Sequence, residues 1–136
     1  TLIRDNGATF KGKITEVIWN QEQVKKRLTD DNMFNQVPAE GYEGVLIYFV
    51  CEYTKGPEDE AASMSADYFD YLCGDGQFYQ KPSVVLSDEF GGQGFPGSTF
   101  EGWIYWACSV SDNPDLLVWK KSWLGDTGKG IYFALE

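Results

Sequence analysis

Between Val45 and Tyr53 the chain reads VLIYFVCEY, with Val45, Ile47, Phe49 and Cys51 at alternate positions and Tyr48 and Glu52 between them. A period of two in a run rich in β-branched and aromatic residues predicts a strand whose first set faces a core, because successive side chains leave a strand on opposite faces. Thr99–Val110 (TFEGWIYWACSV) repeats the pattern: Ile104, Trp106 and Cys108 take the inward parity, and Trp103 and Tyr105 the other. Weaker alternation predicts further strands. Ala8–Ile18 places Phe10, Gly12 and Ile14 on one face, and Asp67–Cys73 does the same with Phe69, Tyr71 and Cys73. Gln77–Leu86 is interrupted by Pro82, which suits an edge strand because proline donates nothing to a ladder. Leu116–Lys120 and Ile131–Leu135 follow, the last with Ile131, Phe133 and Leu135 together.

One segment has helical spacing. Asn20 is placed to cap a first turn, Gln23 stands three residues later in capping-box position, and Val24 and Leu28 share a face. This helix is expected to end between Thr29 and Asp31. The residues from Asn32 through Pro38 to Gly41 read as irregular, and Lys55–Ser65 and Ser87–Ser98 as polar or glycine-rich connections. Gly74-Asp75-Gly76 predicts a tight turn. About seven strands with turn signals between them, and one short helix inserted after the first, predict an all-β antiparallel sandwich or barrel. At 136 residues this is one domain, residues 1–136, since two separate cores would be hard to fit.

Composition narrows the chemistry. Aromatics make up 16% of the chain, ample for a packed core, and no run approaches the roughly 18 apolar residues that a membrane-spanning helix needs. The formal charge of −10 and the short basic clusters Lys25-Lys26-Arg27 and Lys120-Lys121 argue against nucleic acid as a partner, which requires a broad basic surface. Histidine is absent altogether, which removes His-based nucleophile relays, His general acid–base catalysis and imidazole metal sites. Ser87–Ser98 lacks the Gly-Lys-Ser/Thr ending of a phosphate loop, so nucleotide binding is not expected. Carboxylate pairs are the catalytic currency that remains, but glycoside hydrolysis needs two of them in a cleft that a small sandwich rarely offers. No catalytic residue, cofactor or metal is therefore expected. Glu58-Asp59-Glu60 reads as a solvated loop, with a calcium ligand set as the alternative.

Asn32-Met33-Phe34-Asn35, then Pro38, Gly41-Tyr42-Glu43 and the strand from Val45, resemble a known family. So do Asp67-Tyr68-Phe69 leading to Asp75-Gly76, Glu101-Gly102-Trp103-Ile104, and Ser122-Trp123-Leu124 before the last strand. In this order, over most of the chain from Ala8 onward, they resemble the telokin-like, immunoglobulin-fold domains of unknown function in secreted lipoproteins of Gram-positive bacteria. The resemblance implies an immunoglobulin-like sandwich outside the cytoplasmic membrane, tethered by a lipidated cysteine upstream of Thr1. It further implies a relation, at the level of fold alone, to secreted immunoprotective antigens of mycobacteria. It carries over no catalytic residue. The start at Thr1, without Met or a signal peptide, reads as a trimmed mature segment.

The cysteines do not belong to that family pattern. If the strands follow immunoglobulin order, Cys73 and Cys108 lie in opposite sheets near the same end with inward parity, so a disulfide between them is reasonable. Cys51 is then a buried free thiol. Tyr48, Trp103 and Tyr105 share the outward parity on what would be neighbouring strands. They form either an exposed aromatic platform for a protein or glycan, or a face covered by the inserted helix through Val24 and Leu28. Trp19, Trp119 and Trp123 are assigned to core or rim packing. Two functions follow: a monomeric, non-catalytic cell-envelope module that binds a protein or glycan, or a structural spacer without a ligand. A divalent-cation-binding domain stands behind both.

Overall fold

The computed structural model describes residues 2–3, 8–72, 78–79, 82–109, 116–119 and 131–135, with side chains for 8–72, 79, 82–109 and 135. Its strands in chain order are β1 Leu2–Ile3, β2 Thr9–Ile18, β3 Tyr42–Lys55, β4 Ala62–Ser65, β5 Phe69–Leu72, β6 Phe78–Tyr79, β7 Gly91–Gly94, β8 Thr99–Ser109, β9 Leu116–Trp119 and β10 Ile131–Ala134. The α-helix α1 Gln21–Asp31 follows β2, and a 3-10 turn at Ala66–Tyr68 precedes β5. The strands form a four-stranded sheet in the order β1-β2-β3-β8, a second in the order β10-β9-β5-β6, and a pair β4-β7; every strand pair is antiparallel. The described residues are thus mostly β with one α-helix. The described residues contain ten strands where about seven were expected.

The long strands β3 and β8 form where alternation was strongest. Val45, Ile47, Phe49 and Cys51 lie fully inside with Ile104, Trp106 and Cys108, and Phe69 and Tyr71 of the second sheet close over them. The layers meet through aromatic edges and faces: Phe49 against Phe69 at 4.9 Å and Tyr71 stacked on Trp106 at 5.8 Å. Aromatic pairs at such separations add to plain area burial because edge and face carry opposite partial charge.

The partial alternation of the first strand has a structural cause. Ile14 pairs with Phe49 but Glu16 pairs with Tyr48, leaving Thr15 as an extra residue, a β-bulge. A bulge adds one residue on one strand and so exchanges the two faces beyond it. Phe10 and Ile14 face the core before it; Val17 and Trp19 do so after it, and Ile18 turns to the opposite face. The core set at this end therefore includes Val17, outside the Phe10–Gly12–Ile14 series.

Three further expectations are corrected. Among the described residues of 77–86 only Phe78–Tyr79 is strand, at the edge of its sheet as proline placement suggested, while residues 82–86 have no regular structure. Ala62–Ser65 and Gly91–Gly94, read as connections, pair with each other as β4 and β7. Their registers are set by partners roughly thirty positions away in sequence, which no local pattern reveals.

α1 begins at the expected cap. The Asn20 side chain accepts from the Gln23 amide at 3.1 Å, and Val24 and Leu28 are its fully buried residues. Burying those two side chains contributes about 1.5–3 kcal/mol each, and Gln21 fixes where it happens. The Gln21 carboxamide accepts from the Gly44 amide at 2.8 Å and donates to the Gly44 carbonyl at 2.9 Å. It takes the place of a strand partner just beyond the end of β2. Gly44 is glycine for a steric reason: a Cβ there would sit 2.8 Å from both Tyr105 Cε1 and Val24 Cγ1.

Candidate functional site

The sheet face that carries Tyr48, Trp103 and Tyr105 is covered. Tyr48 and Trp103 are directly paired across β3 and β8, with ring centres 5.0 Å apart, edge to face. Trp103 is 9% and Tyr105 3% exposed, in a second core with Val24, Leu28, Leu46 and Leu86; Tyr48 is half-buried against it. The three residues do share a face, as their parity requires, but α1 and residues 84–86 lie over Trp103 and Tyr105. Of the two alternatives for this face, the described residues show the covered one, with Val24 and Leu28 of α1 against Trp103 and Tyr105. Burial pushes the Tyr105 phenol up to about 12. Partial desolvation, then the charges of Glu101 and Asp88, raise that of Tyr48.

The cover is a strap, residues 82–90, tied down at three points. Asn35 accepts from the Val85 amide at 2.8 Å and donates to the Val85 carbonyl at 2.7 Å and the Leu28 carbonyl at 2.8 Å. Asp31 accepts from the Ser87 hydroxyl at 2.9 Å, the Ser87 amide at 3.2 Å and Arg27 Nε at 2.7 Å. The Arg27 guanidinium lies 5.4 Å from the Trp103 ring centre and 3.7 Å from Asp88. Finally, the Trp103 amide donates to the Asp88 carbonyl at 2.7 Å and its carbonyl accepts from the Phe90 amide at 2.9 Å, one rung along the outer edge of β8. The last tie drops Phe90 into the main core, 5.4 Å from the Phe49 ring.

Asp31 gives this tie a pH dependence. Burial alone would raise its pKa, but the hydrogen bonds from Arg27 and Ser87 and the Arg27 charge prevail and hold it below the ordinary value near 3.8. A carboxylate with a depressed native pKa stabilises the fold fully above its unfolded-state value and loses that contribution as pH falls through the native value. Asp31→Asn is therefore expected to lower the melting temperature at pH 6–7, with the gap to the parent closing in titration below pH 4. A gap that stays constant down to pH 2 would show that the charge is immaterial.

Apart from Phe95 in the turn before β8, the large hydrophobics exposed among the described residues lie on or beside the strap. In Asn32–Asn35 the Asn32 side chain accepts from the Phe34 amide at 2.9 Å and Asn35 is bound as above, so both ends of the turn are held. Met33 and Phe34, between them, are 76% and 84% exposed. Val37, Tyr42 and Val85 are also exposed. A groove of about 530 Å³ runs between this loop and the strap, walled by Phe34, Val37, Pro38, Pro82 and Val84, with Tyr105 and Ala107 of β8 beneath. Among the described residues, none that line it is charged. The groove was not foreseen from sequence. Its one local signal is an apolar pair, Met33-Phe34, flanked by asparagines and outside any helix or strand period.

The remaining expected residues fall as follows. Cys108 is buried on the inward face of β8, with Sγ 3.8 Å from the Tyr71 hydroxyl of the opposite sheet. Cys73 lies outside the described residues. Cys51 is a buried free thiol whose pKa burial pushes up to about 12. Among the described residues no three His, Cys, Asp or Glu side chains gather as a metal site, and no helix is long and apolar enough to cross a membrane.

Neither a protein-family model nor a curated protein matches the chain. Among solved structures it is similar to the crystal structure of a "putative lipoprotein (ycdA)" from Bacillus subtilis subsp. subtilis str. 168, with a TM-score of 0.65 at 14% identity. The similarity covers 93% of this chain and 36% of that one, so the chain spans about a third of its neighbour's length. At that identity the likeness is one of fold.

Proposed function

We propose that this chain is a non-catalytic interaction domain of a cell-envelope lipoprotein, displayed outside the cytoplasmic membrane and binding a protein partner in the groove beside Phe34. The observation that carries it is the pinned Asn32–Asn35 turn, which holds Met33 and Phe34 in solvent at the mouth of an uncharged groove. Exposing large apolar groups lowers solubility with no folding benefit, and their concentration beside a groove marks contact surfaces in soluble domains. The envelope setting draws on the Bacillus neighbour and on the resemblance to Gram-positive lipoprotein domains. The immunoglobulin-like classification belongs to the same proposal, supported by the two packed antiparallel sheets.

A structural spacer is the second reading, favoured by the burial of Trp103 and Tyr105, which removes the platform such a module would otherwise present. Pull-downs from Gram-positive envelope extract with the parent and with Phe34→Asp/Val37→Asp separate the two. Both positions are exposed, so the double variant should keep its stability to within about 1 kcal/mol. Partners captured by the parent are expected to be lost or reduced at least tenfold by the variant. An identical set from both would leave the groove without a role and favour the spacer.

A further inference from the structure

Among the described residues, the outer edge of β8 is paired at Trp103 and again at Ser109, and open between them. Because the Trp103 amide and carbonyl both turn to residues 88–90, those of Tyr105 and Ala107, two and four positions on in an unbroken register, turn the same way. Ile104 and Trp106 spend theirs on Ile47 and Val45 of β3. The Ser109 amide, on the same outer side, donates to the Tyr79 hydroxyl at 3.1 Å, which marks the far end of the gap. Among the described residues no hydrogen-bond partner meets the outward groups of Tyr105 and Ala107. The same two residues lie beneath the apolar groove.

Resting on the groove reading above, we infer that the partner binds as a short extended peptide segment that adds a strand to β8, exchanging hydrogen bonds with Tyr105 and Ala107 while its apolar side chains lie against Val84 and Pro82. An open strand edge supplies affinity through its backbone and a neighbouring groove supplies selection through side chains. Charge decides between occupants. A second copy would bring a net charge of −10 onto another −10, whereas a groove whose described lining carries no charge, in an acidic domain, suits an apolar segment with basic flanks.

The test uses the intact chain and peptides selected from a library of random cores flanked by lysines, read by amide hydrogen exchange in NMR. Bound peptide is expected to slow exchange at the Tyr105 and Ala107 amides at least tenfold and to leave Ile104 and Trp106 unchanged. Ala107→Pro removes an outward donor that β3 does not use, and about tenfold weaker binding is expected. Methylating alternate peptide nitrogens should weaken binding equally on the unaltered protein, so the test survives if the proline variant does not fold. A library without binders, or binders indifferent to nitrogen methylation in either register, overturns strand addition. Binders that ignore methylation but are lost with Phe34→Asp/Val37→Asp would overturn strand addition alone and leave the groove reading in place. A dimer seen by light scattering and dispersed by Ala107→Pro would give the edge to a second copy and overturn the peptide assignment.

Discussion

Trp106→Ala is expected to lower the free energy of unfolding by about 3–5 kcal/mol, the range for deleting a large buried aromatic. Trp106 is fully buried on the inward face of β8, beside Val45 on β3. It reaches the second sheet twice, by stacking on Tyr71 at 5.8 Å and by donating from Nε1 to the Tyr79 carbonyl at 3.2 Å. The alanine leaves a cavity between the two sheets and removes the donor that Tyr79 uses. Since single domains are stable by about 5–15 kcal/mol, a loss of this size takes a large share of the total. Equilibrium urea unfolding followed by far-ultraviolet circular dichroism measures it. Trp106→Phe should recover most of the loss because it restores most of the volume. A loss below 1 kcal/mol for the alanine variant would mean that the sheets do not pack through this side chain.

Gly102→Ala is the second large effect, about 2–4 kcal/mol from overpacking and two weakened hydrogen bonds. A Cβ on Gly102 would lie 2.6 Å from the Phe90 amide nitrogen and 2.7 Å from both the Asp88 oxygen and the Glu89 carbonyl carbon. These are backbone atoms, so no side-chain rotation relieves the contact. The strap has to lift, which strains the Trp103–Asp88 and Trp103–Phe90 hydrogen bonds and pulls Phe90 from the core. Gly97 is the control. It sits at φ +100 in the Phe95–Ser98 turn with nothing within 4 Å of its virtual Cβ, so alanine there meets only the backbone penalty of about 1–2 kcal/mol. The two variants should also differ at a distance: Gly102→Ala is expected to speed hydrogen exchange along residues 84–90, and Gly97→Ala to leave it unchanged. Equal effects of the two substitutions would show that the strap is not seated on β8.

The strap connects the two halves of the functional proposal. By covering Trp103 and Tyr105 it removes the aromatic platform, and by leaving the β8 edge after Phe90 it leaves Tyr105 and Ala107 with backbone groups that meet no partner among the described residues, beside an apolar wall. One segment thus closes one candidate surface and builds another. A net charge of −10 opposes self-association through the exposed apolar side chains, and the proposed partner is one of opposite charge.

What the sequence by itself determined is whatever depends on neighbours in the chain. The inward parity of Val45, Ile47, Phe49 and Cys51, of Ile104, Trp106 and Cys108, and of Phe69 and Tyr71 is a matter of strand geometry over a few residues, and so is the helix opened by Asn20. The loss of histidine chemistry follows from composition alone. Tertiary structure decided the rest, because those contacts join residues far apart in sequence. Asn35 and Val85 are 50 positions apart, and Asp31 and Ser87 are 56 apart. Parity placed Tyr48, Trp103 and Tyr105 on one face, but whether water reaches that face depended on where the irregular residues 82–90 came to rest. The same placement put Phe90 inside and left Phe34 outside, although both are phenylalanines in segments without a period. A side chain's burial is a property of what arrives from elsewhere to cover it, and a single aperiodic stretch carries no record of that.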